Sequence, residues 1–435
     1  MDNLKLWTDE NGNSSFDFPD FQKVMGEMGK MSGSQMSISQ ALRIRGRLRT
    51  GKLEEAISLL YEENDAMRFV AVPVENDMNI GIIDEYKYHL DMIYAQGATE
   101  QEKFEWVRER MKEDNRKPFD ITGEPTYRFF VYEISETDHV LLIVCDHTFA
   151  DGASIILLIK QLLTNYITPS GERTAVKKNA FLDYCKEKCR EQRERKDEFT
   201  DYWKQRVKGY EPPVLAPVET PDAPDEVRFT VNRKQLEETG KKLRVSPFAI
   251  STAALHYAIT MFYDRNDTAV SFAVADRFDK RFRDTVGLVL ECATNRAVID
   301  PDEKLTDFIK KVSTVVFENQ KYCSYVPVTD PEFRAKLRPP VFAISFENTG
   351  AEMNMDKFEE KYGVSFFETN VKRQTQGAFV VHANSRPEDI VFYIQCDDKM
   401  WSGDTLRSIA AYMERFLKEA DYDRDPAMSE YLSLK

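Results

Sequence analysis

Asp146-His147-Thr148-Phe149-Ala150-Asp151-Gly152 stands between two apolar stretches, and its placement decides how the chain is read. Before it, Val140-Leu141-Leu142-Ile143-Val144-Cys145 is short, apolar and rich in β-branched residues, which predicts a fully buried strand. After it, Ile155, Ile156, Leu158, Ile159, Leu162 and Leu163 recur at helical spacing within Ala153 to Tyr166. His147 therefore falls where a strand ends and a helix begins, a geometry that lifts an imidazole to the mouth of a cleft. The chain has only 5 histidines. His89, His139, His256 and His382 lack such a context; His139 falls in a polar turn, and His256 on an apolar helix reads as a hydrogen-bonded core residue.

Working outward, Arg128 to Ile134 predicts a strand that pairs with Val140 to Val144 across the turn Ser135-Glu136-Thr137-Asp138. Ser37 to Arg49 alternates partly like a strand and leads into the helical stripe Leu53, Ala56, Ile57, Leu60. Ala66 to Val72 returns to strand character, and Glu100 to Arg116 is a charged amphipathic helix. Phe181 to Lys208 reads as a long charged helix or helix pair. Beyond it, Pro212, Pro213, Pro217, Pro221 and Pro224 force an extended segment. Helices are then expected at Asn232 to Leu243, Pro247 to Tyr263, Leu305 to Phe317 and Thr405 to Leu417. Strands are expected at Val270 to Val274, Ala293 to Ile299, Val341 to Phe346, Ala378 to Ala383 and Ile390 to Cys396. The pattern is α/β (α+β) in two lobes, divided as 1–170 and 171–435.

At 435 residues the chain is too long for one core. Its 74 acidic against 60 basic residues give a formal net charge of −14, which argues against nonspecific nucleic-acid binding through phosphate neutralisation. Met1 to Ser15 has no apolar core, so it does not read as a secretory signal. The most apolar window, Phe248 to Tyr263, is short for a bilayer span. Cys145, Cys185, Cys189, Cys292, Cys323 and Cys396 form no CxxC pair, and read as reduced thiols of a cytoplasmic protein with no metal site. No membrane association is expected, and a monomer is.

An imidazole titrates ordinarily near pH 6.5, so its neutral form can take a proton from an amine or alcohol attacking a thioester. A positioned base of this kind contributes ~10²–10⁴-fold in rate. Asp151 fixes the turn and needs a cationic partner if buried; Gly152 lets the chain turn sharply there and offers a backbone N–H to a developing oxyanion. HxxxD arises often by chance, so the signals around it carry the weight. The basic run Lys186 to Lys196 could steer an acidic partner, although its interspersed glutamates favour a solvated helix face.

Those signals come in order. Glu63-Asn64-Asp65-Ala66-Met67-Arg68-Phe69 matches "rheaLRt.f", and Phe119 to Arg128 matches "f.l..gpl.r". Asp146 to Gly152 matches HHxxxDG with Asp146 in place of the first histidine. Tyr202 to Gly209 matches "yW...l.g", Val286 to Arg296 matches "vG.fvNt.plR", and Arg338 to Asn348 matches "RnPlf.v.fn". Together these segments resemble the condensation domain of nonribosomal peptide synthetases, within the chloramphenicol-acetyltransferase-like acyltransferases.

The resemblance implies two such lobes in a V shape with a tunnel between them, faced by His147 and entered by phosphopantetheine arms from opposite sides. It implies that Asp151 bridges to an arginine, for which Arg68 is the expected position, and that the first histidine, here Asp146, is the less essential one. Asn295, Arg296 and Asn348 are expected at the tunnel or between the lobes. Asp146, Asp151 and Ser154 also satisfy DxxxxDxxS of heterocyclization domains, but the retained His147 and Asp-Gly favour condensation. The motifs DFGWG and EGHGR of other relatives are absent. The expectation is a stand-alone acyltransferase that binds no cofactor. It takes an acyl or aminoacyl thioester, on an acyl or peptidyl carrier protein or on coenzyme A, to an amine, with an alcohol acceptor as runner-up. A non-catalytic carrier-binding homologue is the alternative of another class.

Overall fold

The structure is a computed structural model that describes residues 5–32, 37–75, 77–85, 88–168, 180–215, 218, 224, 226–327, 333, 336, 341–347, 355–368, 378–396 and 399–434. The chain forms two compact units. The first comprises Met1–Glu194, Ala275–Leu290 and Met353–Val371; the second comprises Arg195–Val274, Glu291–Glu352 and Lys372–Lys435.

In the first unit the elements are β1 (Ser15–Asp17), α1 (Asp20–Ser32), β2 (Ser37–Arg45), α2 (Thr50–Glu63), β3 (Phe69–Val74), β4 (Asp77–Ile82), β5 (His89–Tyr94), α3 (Glu100–Asn115), β6 (Tyr127–Ser135), β7 (Asp138–Asp146), α4 (Gly152–Ile167) and α5 (Ala180–Glu194). The expected strand from Ala66 begins instead at Phe69, because Asp65–Arg68 form a 3₁₀ turn. β6 and β7 pair antiparallel across the expected turn, with a bulge between Glu133 and Ser135. β7 also pairs antiparallel with β2, so it is an inner strand. Its two faces explain its unbroken apolar run. Leu141, Ile143 and Cys145 pack with α2 and α4, while Val140, Leu142 and Val144 pack with Val107 and Met111 of α3.

The sequence reading ends the first lobe at residue 170, but this unit continues through α5 to Glu194 and takes in two later segments. The tie is local and physical. Fully buried Asp65 accepts hydrogen bonds from the N–H groups of Phe181 (3.2 Å) and Leu182 (2.8 Å), pinning the start of α5 to the 3₁₀ turn. Burial raises the Asp65 carboxyl from its ordinary 3.8 to about 6, outweighing the N–H donors that hold the anion. Because the folded value lies above the unfolded one, the contribution is fully present below pH ~4 and is lost as pH rises through about 6. Asp65→Asn carries no charge at any pH. The stability difference between wild type and this variant should therefore shift against the wild type by up to ~3 kcal/mol between pH 4 and 7, read from urea midpoints.

The second unit holds α6 (Lys196–Val207), β8 (Val227–Asn232), α7 (Arg233–Leu243), α8 (Pro247–Tyr263), β9 (Asp267–Ala275), β10 (Leu290–Val298), α9 (Leu305–Asn319) and β11 (Phe342–Glu347). The chain then returns to the first unit with α10 (Met355–Tyr362) and β12 (Val364–Phe367), and ends in the second with β13 (Phe379–Ser385), β14 (Asp389–Cys396), α11 (Gly403–Glu419) and α12 (Met428–Leu432). The sheet order is β10-β9-β11-β13-β14-β8, with β11 parallel to both neighbours. Val270, Phe272, Phe342, Ile344, Val381 and Phe392 share one core with α8, α9 and α11. α8 is apolar all round because it is buried nearly throughout. Among the described residues no single helix is long and apolar enough to cross a membrane.

Candidate active site

The loop from Asp146 to Asp151 is fixed by its own side chains. The Asp146 carboxylate accepts from Thr148 N–H at 2.8 Å, turning the chain as β7 ends. Burial pushes the Asp146 carboxyl above the usual carboxylate range. Phe149 is fully buried, 5.8 Å from the Phe18 ring and 6.1 Å from the Phe69 ring. Its carbonyl accepts from the Tyr127 hydroxyl at 2.7 Å. Two residues before this anchor, His147 is half-buried.

Its ring has one defined partner. Nδ1 lies 2.7 Å from the Ala150 carbonyl oxygen, which can only accept, so Nδ1 carries the hydrogen. In the neutral ring the lone pair then sits on Nε2, which has no hydrogen-bond partner among the described residues. An Nε2 lone pair on a half-buried ring is the reactive atom this arrangement provides.

Asp151 is only 3% exposed and caps α4, accepting from Ser154 N–H at 2.7 Å and the Ser154 hydroxyl at 2.6 Å. Its cationic partner is Arg277, whose Nη2 lies 2.9 Å from both carboxylate oxygens. Arg68, the expected partner, donates Nη1 to the Ile83 carbonyl at 3.2 Å and lies beside Asp65. The 3₁₀ turn that ends at Arg68 aims it there. Val289 N–H donates to the second Asp151 oxygen at 3.0 Å, and Arg277 Nη1 also holds the Thr285 carbonyl at 2.7 Å. One buried carboxylate thus ties the start of α4 to the returning segment Ala275–Leu290.

Gly287 sits at the centre of that tie. Its N–H donates to Ser154 Oγ at 3.0 Å, and its carbonyl oxygen lies 2.6 Å from that Oγ, so the one hydroxyl hydrogen is shared between this carbonyl and Asp151. Its φ of +151° and the Phe181 ring, which already fills the space a Cβ would need, exclude a side chain. Gly287→Ala should therefore cost roughly 2–4 kcal/mol, from strained backbone and the displaced ring, and appear as a lowered melting temperature. Gly152 differs. It has no positive φ, so the sharp turn expected of it is not its role; a Cβ there would meet nothing within 4 Å. It is the exposed first residue of α4, above open space.

The remaining expected residues lie elsewhere. Asn295 is fully buried in the second unit, donating to the Val312 carbonyl at 3.1 Å and neighbouring His256. It lies within the core of that unit. Arg296 is held by Asp267 at 2.7 Å and by the Lys208 carbonyl at 2.6 Å, again inside that unit. Asn348 lies outside the described residues. Sequence reasoning missed Arg277, Ser154 as a tie and Gly287. The one usable signal was that a buried Asp151 demands a cation, but nothing in the spacing singles out Arg277 from Arg281 and Arg283.

Residues 21–435 match the family described as Condensation domain. A dimodular nonribosomal peptide synthase from Bacillus subtilis (strain 168) is 22% identical over 420 residues, covering 89% of the chain and 17% of the relative. The curated relatives are several times longer than the chain. Among solved structures, the X-domain from teicoplanin biosynthesis superposes with a TM-score of 0.77 at 18% identity, covering 98% of each chain. A mutant form of the starter condensation domain of rhizomide synthetase RzmA, in complex with C8-CoA, gives 0.75 at 14% identity, covering 96% of this chain and 97% of that one. These likenesses agree with the mixed α/β architecture. The chain belongs to the condensation-domain family.

Proposed function

We propose that the chain is an acyltransferase that moves an acyl or aminoacyl group from a phosphopantetheine thioester, on a carrier protein or coenzyme A, to an amine. The observation that carries this reading is the His147 ring, fixed through Nδ1 and offering Nε2. As the amine nitrogen bonds to the thioester carbonyl, Nε2 accepts its proton; the C–S bond then breaks and the proton passes to the departing thiolate. The products are an amide and a free thiol.

Asp151 does not orient the imidazole as a triad carboxylate would, since Nδ1 is bonded to Ala150 and Asp151 is engaged by Ser154, Arg277 and Val289. It holds the loop. Gly152 N–H, at the start of α4, has no acceptor among the described residues and suits a developing oxyanion, with open space where a side chain would stand. The RzmA neighbour holds C8-CoA, which supports an acyl thioester as donor here. No bound cofactor enters this chemistry, and the family match supports a nonribosomal-peptide setting. The first test is product analysis by mass spectrometry with acyl-CoA and acyl-carrier donors against a panel of amines and alcohols. Amide formation above the uncatalysed rate is expected; ester alone would move the reading to O-acylation, and no product from any pairing would end it.

A further inference from the structure

We propose that a cleft on the second unit, walled by α7, α8 and α9, is the docking surface for an acidic amphipathic helix of the carrier protein that presents the thioester. The proposal rests on the acyl-transfer reading above. The cleft measures about 660 Å³ and is lined by Lys241, Arg244, Val245, Pro247, Val316 and Phe317, among others. Phe317 is 63% exposed near the end of α9, beside buried Val316, so the floor is apolar and reachable.

Its rim is cationic and uncommitted. Among the described residues neither Lys241 nor Arg244 has a carboxylate partner, and the cleft's Glu237 is taken by Arg233 at 2.7 Å. Lys321 adds a third cation, 5.3 Å from the Phe317 ring centre. The basic run on α5 is the opposite case. Lys186 pairs with Asp9, Lys188 with Asp276, Arg193 with Asp17, and Arg195, just past the helix, with Glu198, which leaves that face little charge for a partner.

Arg244 also occupies a costly conformation. It ends α7 at φ 59°, a left-handed position where glycine or asparagine stops a helix without strain. Among the described residues its guanidinium has no hydrogen-bond or ion-pair partner, so the outlier points outward. On a chain with a formal charge of −14, an isolated cationic rim over an apolar floor selects an acidic helix with an apolar face. Apolar side chains would meet Val316, Phe317 and Pro247, and carboxylates would meet Lys241 and Arg244.

The test uses the full chain and an octanoyl-loaded holo acyl carrier protein with an acidic surface helix, with octanoyl-CoA as second donor. Calorimetry should give at least 10-fold weaker carrier binding for Lys241→Glu/Arg244→Glu. Arg244→Gly, which suits the backbone, should weaken binding several-fold with an unchanged or raised melting temperature. Octanoyl-CoA turnover should stay within 2-fold of wild type in both variants. Carrier affinity equal in wild type and variants, or no carrier binding by wild type, overturns the docking proposal whether or not octanoyl-CoA is consumed. Carrier binding that depends on Lys241 and Arg244 without any amide product would leave the surface standing and remove the acyl-transfer reading instead.

Discussion

His147→Ala is expected to lower turnover of an acyl thioester with an amine by ~10²–10⁴-fold, with little change in KM, because it removes a proton acceptor and leaves the fold intact. The ring is half-buried and, among the described residues, its one hydrogen bond runs to the Ala150 carbonyl. The loop keeps its anchors at Phe149 and Asp146. Thiol release and product amide should be measured together, since a base that serves only hydrolysis would raise the first without the second. His147→Gln separates charge from bulk: it can still donate but is too weakly basic to accept the amine proton, and it should fall in the same range. Equal turnover by wild type and His147→Ala would remove the acid–base role.

Arg277→Ala is expected to cost about 3–5 kcal/mol of stability and most of the activity, although Arg277 is not placed at the reacting atoms. The cause lies in what remains. Asp151, 3% exposed, would lose its cation and keep only Ser154 and the Val289 N–H as partners. Arg277→Ala combined with Asp151→Asn should recover part of the loss, and the double-mutant cycle measures the coupling. Arg68→Ala provides the contrast. It removes a bond to the Ile83 carbonyl and a neighbour of Asp65, not the Asp151 partner, and should leave the Asp151 to Arg277 coupling unchanged. A larger coupling of Asp151 to Arg68 than to Arg277 in denaturant titrations would overturn the assignment.

Local periodicity made most of the fold legible. β7 and α4 stand where the apolar run and helical spacing placed them, as do the β6–β7 hairpin and α7, α8, α9 and α11. The short strands β1 and β12 were not legible, because three or four residues carry no period and their pairing is set by partners far along the chain. The unit boundaries were hidden for the same reason, since Asp65 reaches α5 through backbone groups that have no sequence signature. At the site, the motif gave the loop and its histidine. It could not give the tautomer, which depends on the Ala150 carbonyl, nor the Arg277 partner, which arrives from a segment on the far side of a strand, β9. Asn295 is expected at the tunnel through the resemblance of Val286 to Arg296, and strand alternation on β10 buries its side chain within its unit.

The order in which the first sheet is completed bears on synthesis. β12 lies at Val364–Phe367 and seals the outer side of β2 by antiparallel pairing at Ala41 to Ile44. A ribosome adding about 5–20 residues per second exposes β2 for some tens of seconds before its last neighbour emerges. Throughout that interval the nascent polypeptide presents a row of unclaimed amide and carbonyl groups, which invites pairing with other chains. Truncated expression ending near Glu194 would make that interval permanent, so soluble yield should depend on translating the message past residue 367 or on a holding chaperone.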